Sequence, residues 1–235
     1  MKYSTILLIL ISISGLSYAQ STAELIRQGK QKHEANDLAG AASLYSKDIK
    51  ADPSNAEAYY LLGNARFDMG KYQEAIQQYT ECLKHDPKFI HALYNRANSW
   101  FELQNYGNAL EDFSQTIKMD STYYDAYFDR GSAHYKMNHF HEAISDISKA
   151  LSYDPKEPNG YYDRGNCYFQ ISKFSDAIAD YTTAIGLNRE NPDYFFNRAL
   201  AEFNLELNDE GCRDLEAAKK LGDDEAQGYI KELCK

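Results

Sequence analysis

The sequence predicts an all-α fold: a solenoid of six helical hairpins closed by a C-terminal capping helix. Three observations carry it. The chain repeats with a period of 34 residues, in six rows that start at Thr22, Ala56, Ile90, Tyr124, Pro158 and Pro192 and need no gap. The eighth column holds Gly29, Gly63, Ala97, Gly131, Gly165 and Ala199, and the twentieth holds Ala41, Ala75, Ala109, Ala143, Ala177 and Gly211. Each row also contains two apolar stretches at helical spacing. Residues this small are needed where two backbones approach closely, so every row is the same packed unit. One hairpin cannot bury its apolar faces alone, and stability must come from stacking on neighbours. The period leaves little chain for a catalytic apparatus, and no enzyme is expected.

The elements follow in chain order. Met1–Ala19 reads as a secretory signal peptide, with Lys2 as the positive start, Ile6–Ile13 as the apolar core and Ser17-Tyr18-Ala19 as the small-x-small cleavage pattern. The apolar run falls short of the about 20 residues that a membrane-spanning helix needs. Cleavage before Gln20 is therefore expected, with export to the periplasm or beyond and no integral membrane segment left. No Cys follows the apolar run, which argues against a lipid anchor. Residues 20–235 are expected to form a single domain, with repeats at 22–55, 56–89, 90–123, 124–157, 158–191 and 192–225. Without Lys2 the chain carries 24 basic and 35 acidic residues, a net charge of −11. Such a balance is unsuited to a nucleic-acid partner, whose phosphates need a basic surface.

The second row shows the internal design. Ala56 to Met69 has apolar residues at helical spacing, Gly70-Lys71 interrupts it, and Tyr72 to His85 forms a second stretch. Tyr72, Ala75, Ile76, Tyr79 and Leu83 lie on one face of that stretch. Asp86-Pro87 ends it, as Asp52-Pro53 and Asp154-Pro155 do in their rows, because Pro cannot continue a helix. After the sixth row, Gly222 is placed to end a helix in a left-handed cap. Asp223 or Asp224 can then start a capping helix over about 224–234. Its stripe of Ala226, Tyr229, Ile230 and Leu233 is expected to cover the open end.

This pattern resembles the tetratricopeptide repeat, whose motif runs W-x2-L-G-x2-Y, then A-x3-F, then A and P. The second row offers Tyr59-x2-Leu62-Gly63, Ala75-x3-Tyr79, Cys82 and Pro87. The fifth offers Tyr161-x2-Arg164-Gly165-x2-Tyr168, Ala177-x3-Tyr181 and Ala184. Departures fall in the outer rows, at Asp48, Asn208 and Gly211, where one flank faces water. The resemblance implies a right-handed α–α superhelix and a non-catalytic role in binding a polypeptide. It also implies that the first helices line a concave groove, with columns two, five, nine, twelve and thirteen facing it.

The residues at those columns are specific to this chain. From row two onward, column five reads Tyr60, Tyr94, Phe128, Tyr162 and Phe196, and column twelve reads Phe67, Phe101, Tyr135, Phe169 and Phe203. Between them column nine reads Asn64, Asn98, Ser132, Asn166 and Leu200. Amides can donate to and accept from a peptide backbone, and rings offer apolar contact. Aromatic residues at helical spacing also build cores. Columns four, eleven, seventeen and twenty-four are expected to supply that core, which leaves the double aromatic track in excess of packing. The track suits a peptide, a glycan, or a second copy of the chain. A clamp for a C-terminal carboxylate, known in the family, uses Lys at column five. Here that column is aromatic, and Glu57, Asp125 and Asp193 at column two would repel a carboxylate.

Rows three to six add a charged pair outside the motif: Arg96 with Asp112, Arg130 with Asp146, Arg164 with Asp180, and Arg198 with Asp214. Antiparallel folding brings columns seven and twenty-three together, so these are expected to be structural ion pairs within hairpins. No phosphate loop, H-E-x-x-H, C-x-x-C or Ser–His–Asp context occurs, and no cofactor or metal is expected. His134, His139 and His141 form the one histidine cluster, read as one core and two turn residues. Cys82 and Cys167 stand at small-residue columns and read as buried free thiols. Cys212 lies ten residues before Gly222 and Cys234 twelve after it. Antiparallel helices turning there predict a disulfide between them.

Overall fold

The computed structural model describes residues 22–234. The signal-peptide reading of residues 1–19 lies outside them. All regular structure among the described residues is helical. A first helix, α1, spans 22–34. It is followed by α2 (Leu38–Ala51), α3 (Ala56–Asp68), α4 (Tyr72–His85), α5 (Ile90–Glu102) and α6 (Tyr106–Met119). Then come α7 (Tyr124–Lys136), α8 (Phe140–Tyr153), α9 (Pro158–Gln170), α10 (Phe174–Leu187), α11 (Pro192–Phe203), α12 (Asn208–Lys220) and α13 (Ala226–Leu233). Odd-numbered helices from α3 to α11 begin at the first residue of a repeat; α3, α7, α9 and α11 pack against the helix that follows them, and α5 is tied to α6 through Arg96 and Asp112. The chain packs as two compact units, one up to Gln115 and one from Thr116, with the boundary inside α6.

Local chemistry explains why each helix stops where it does. The turn inside every hairpin places column fifteen in the left-handed region: Asn36, Gly70, Gln104, Asn138, Ser172 and Glu206 have φ between 58° and 71°. Only Gly70 adopts this conformation without steric cost. Glu206→Gly is therefore expected to raise stability by about 1 kcal/mol, measured as an upward shift of the urea midpoint. A drop in that midpoint would show that the Glu206 side chain matters more than its backbone. Between hairpins a second device recurs at column thirty-one. The Oδ1 atoms of Asp52, Asp86, Asp120, Asp154 and Asn188 each accept the backbone N–H two residues on, at 2.8–3.0 Å. Such Asx turns enclose Pro at 53, 87 and 155.

The core is narrower than the sequence pattern suggests. Column twenty-four is buried in every hairpin, as Tyr45, Tyr79, Phe113, Ile147, Tyr181 and Leu215. Columns four, eleven and seventeen, expected to join it, are mostly half-buried, with Leu93 and Glu202 the buried exceptions. The reason lies in the facing small columns. A Cβ built on Gly63 would lie 2.5 Å from the Tyr79 ring, and one on Gly165 would lie 2.7 Å from Tyr181. The Tyr79 and Tyr181 rings thus lie directly on glycine backbone, and the other columns are left at the margin. Gly63→Ala is expected to destabilise by about 1–3 kcal/mol through overpacking, despite alanine's better helix propensity. Chemical denaturation would detect this, and a stabilised variant would contradict the packing.

In the second unit, α13 docks on the sixth hairpin. Asp223 starts it, its Oδ1 accepting from the N–H groups of Glu225 and Ala226 at 2.8 and 3.1 Å. Ala226 is buried and Ile230 packs beside Leu215 and Ala218. The expected four-residue stripe is only partly covered: Tyr229 and Leu233 remain 37% and 42% exposed. Tyr229 sets its ring edge-on against Phe196 of α11, and Leu233 is the last residue of the helix. Cys212 and Cys234 are bonded, with Cα atoms 5.7 Å apart. Cys82 and Cys167 are free and buried, and burial pushes both thiols up to about 12. They are poor nucleophiles in that state.

Candidate functional site

The first helices carry two kinds of side chain at the implied groove columns, and the structure treats them differently. The column-twelve rings close their own hairpins. Phe67, Phe101, Tyr135 and Phe169 each meet the ring at column seventeen edge-on, with centroids 5.2–5.5 Å apart. Phe203 lies over Gly211 instead, so that a Cβ there would be 2.9 Å from the ring. The column-five rings lean on core rings: Tyr60 on Tyr79 at 6.2 Å, Tyr94 on Phe113 at 5.9 Å, and Tyr162 on Tyr181 at 5.9 Å. Phe128 packs near Ile147 and Leu151, and Phe196 meets Tyr229 of α13. All ten rings are half-buried. Part of each is engaged in packing, and part is available to solvent.

The amide column has a structural duty in two hairpins. Tyr79 donates its hydroxyl to Asn64 Oδ1 at 2.8 Å, and Tyr181 does the same to Asn166 at 2.8 Å. Burial holds both tyrosines well above the ordinary phenol range, so both stay neutral donors. The first hairpin lacks this partner, since column nine is Lys30, and the buried Tyr45 hydroxyl has no hydrogen bond among the described residues. Ser132 turns its hydroxyl to the Phe128 carbonyl at 3.2 Å. In the third hairpin the column-twenty-four residue is Phe113, which has no hydroxyl to offer Asn98, and no hydrogen bond is formed by the Asn98 amide among the described residues.

That difference shapes a cleft in the first unit. A cavity of about 310 Å³ is lined by His33, Asn64, Phe67, Asp68, Tyr79, Asn95 and Asn98. Three first helices, α1, α3 and α5, contribute its walls. Asn95 donates to Asn64 Oδ1 at 2.9 Å, and His33 Nε2 lies 2.6 Å from Asp68 Oδ2. Three amides and an oriented imidazole thus surround a small apolar patch made by Phe67. Such a lining can donate to and accept from a neutral polar chain. Asn95, His33 and Asp68 were not singled out in the sequence. Asn95 stands at column six, outside the implied groove columns, and the His33–Asp68 pair joins side chains 35 residues apart.

The four Arg–Asp pairs are bidentate, with N–O distances of 2.6–2.9 Å. The arginines also reach beyond their own hairpin. Arg96, Arg164 and Arg198 donate from Nη1 to Thr80, Ser148 and Thr182 of the preceding hairpin, at 3.2, 3.0 and 2.9 Å. Arg130, Arg164 and Arg198 also lie over the rings of Tyr127, Tyr161 and Phe195, at 5.6–5.9 Å. Their guanidinium groups are committed to structure. Beside the last pair, burial and the nearby Asp214 push the Glu202 carboxyl up to about 7. Among the described residues no group of three or more His, Cys, Asp or Glu side chains is placed to hold a metal ion, and no helix is long and apolar enough to cross a membrane.

Comparison with known proteins adds the following. Family profiles described as tetratricopeptide repeat match residues 56–89, 158–191 and 124–157, and one described as TPR repeat matches 29–70. No curated protein sequence matched the chain. Among solved structures, MamA superposes with a TM-score of 0.67 at 25% identity, covering 68% of this chain and 94% of that one. YrrB, described as a TPR protein with an unusual peptide-binding site, has a TM-score of 0.72 at 17% identity, covering 82% and 100%. The pilF protein of Pseudomonas aeruginosa has 0.75 at 17%, covering 92% and 99%. The last two likenesses are of fold.

Proposed function

The chain belongs to the tetratricopeptide repeat family, and from that premise we propose that it is a non-catalytic scaffold that binds a polypeptide segment along its first helices. The observation that carries this reading is the amide-lined cleft of the first unit. Asn64, Asn95 and Asn98 converge there from α3 and α5, and Asn98 has hydrogen-bonding capacity that the fold does not use. A peptide main chain presents alternating donors and acceptors that match such amides. The likeness to YrrB, a protein described by its peptide-binding site, supports the same class of ligand. The signal-peptide-like start of the sequence supports an exported location for this scaffold, in an adaptor or assembly role.

The test is a peptide array and a glycan array probed in parallel with the protein, together with its mass in solution. Binding to a subset of peptides with no glycan signal is expected. Selective glycan binding without peptide binding would replace this reading with a sugar-recognition one. A stable oligomer that covers the cleft and binds neither ligand would make the chain a self-associating structural subunit.

A further inference from the structure

In the second unit one groove ring lacks the cover that its counterparts have. Tyr60 is overlaid by Phe89, with ring centroids 4.8 Å apart, and Tyr162 by Tyr194 at 5.0 Å. Phe89 occupies the last column of its repeat and Tyr194 the third column of the next. Beside Phe128, which holds the same column as Tyr60 and Tyr162, those two columns carry Glu157 and Gly160. No ring stacks on Phe128 among the described residues. A pocket of about 320 Å³ opens there, at the meeting of the α7 start, the α8 end and the α9 start. Phe128 and Leu151 form its floor and Tyr124 one wall. Asp125, Asp154 and Glu157 stand around it.

The charge of this rim is uncompensated. None of the three carboxylates is ion-paired among the described residues. Asp154 and Glu157 each give one oxygen to a backbone N–H, at 3.0 Å in both cases, which leaves the second oxygen of each. Desolvation on the pocket side raises the Asp125 carboxyl above its ordinary range, although the residue as a whole is exposed, so a cation can reach it from solvent. We propose that this pocket receives an arginine or lysine side chain of the bound polypeptide, with its methylene stem over Phe128 and Leu151 and its charged head among Asp125, Asp154 and Glu157. Such side chains cover apolar surface with their stems while the head seeks polar company, and a guanidinium can stack on an exposed ring face. A purely apolar side chain would desolvate the carboxylates without return. An acidic one would be repelled.

The inference rests on the polypeptide reading for its ligand, but the pocket can be tested separately. N-acetyl-arginine N-methylamide, its lysine counterpart and its norleucine counterpart would be titrated into the isotope-labelled full chain, following backbone amide shifts by NMR. Shifts confined to residues 124–128 and 150–160 are expected. The basic probes should bind at least about tenfold more tightly than norleucine. The Asp125→Asn, Glu157→Gln double variant should lose that preference. Equal binding of norleucine, shifts elsewhere, or no shifts would overturn the inference. Array peptides that bind equally well with Arg and Lys replaced by Gln would also overturn it while leaving the scaffold reading intact. An array with no peptide binding at all would remove the scaffold reading, and the small probes would still decide the pocket.

Discussion

Arg164→Ala is expected to cost about 3 kcal/mol of folding stability, the lower end of the range for breaking a buried ion pair. The arginine and its partner Asp180 are 20% and 9% exposed, so the pair is shielded without being sealed. Truncation removes two bonds to the carboxylate and one to Ser148 of the preceding hairpin. It also removes the guanidinium from the Tyr161 ring. The larger part of the cost is the Asp180 charge left without a partner in a site largely shielded from water. The double variant Arg164→Leu, Asp180→Leu should therefore lose less than the single one, because no orphaned charge remains. Urea denaturation of the three proteins decides this. A single variant within about 0.5 kcal/mol of the parent, or a double variant worse than the single, would contradict it.

The second large effect concerns the disulfide. Cys212 and Cys234 are 22 residues apart, and a loop of that size corresponds to about 3 kcal/mol of chain entropy removed from the unfolded state. The Cys212→Ser, Cys234→Ser double variant is expected to lose about that much. The loss should appear first at α13, whose contacts through Ala226 and Ile230 are few. Hydrogen exchange would then show amides 226–233 opening before the rest of the second unit. Mass mapping of the unreduced protein checks the premise directly: four alkylated cysteines would end the claim.

How far the sequence reveals this molecule follows from which features depend on period alone. Helix starts at Ala56, Ile90, Tyr124, Pro158 and Pro192 coincide with the repeat starts, because Gly and Ala at two columns pin where the paired helices touch. The Arg–Asp contacts were legible for the same reason, since antiparallel packing brings columns seven and twenty-three together whatever lies around them. The left-handed turns were not. Gln104, Ser172 and Glu206 share with Gly70, Asn36 and Asn138 a backbone conformation that only the Gly and, less strongly, the two Asn announce by residue type.

The division of labour among the aromatic residues was equally hidden. Phe67 and Tyr72 are five residues apart, a spacing that places them on different faces of a continuous helix. They meet because the chain turns at Gly70 between them. The amide cleft depends on Asn95 reaching back to Asn64, a contact set by side-chain direction. The pocket over Phe128 exists because Glu157 and Gly160 stand where other repeats place a ring. A single row does not show such a vacancy. It appears only when the column-five rings are compared with what covers them.

The central claim is that the first helices hold a polypeptide through polar groups the fold leaves free. The most direct measurement is a calorimetric titration of the best array peptide into the parent protein and into Asn98→Ala. Asn98 lines the cleft and bonds to nothing among the described residues, so its loss should leave the melting temperature unchanged. The account predicts saturable binding to the parent and a roughly fivefold to tenfold weaker affinity for the variant, the worth of one hydrogen bond. Identical affinities for the two proteins at equal stability would contradict it.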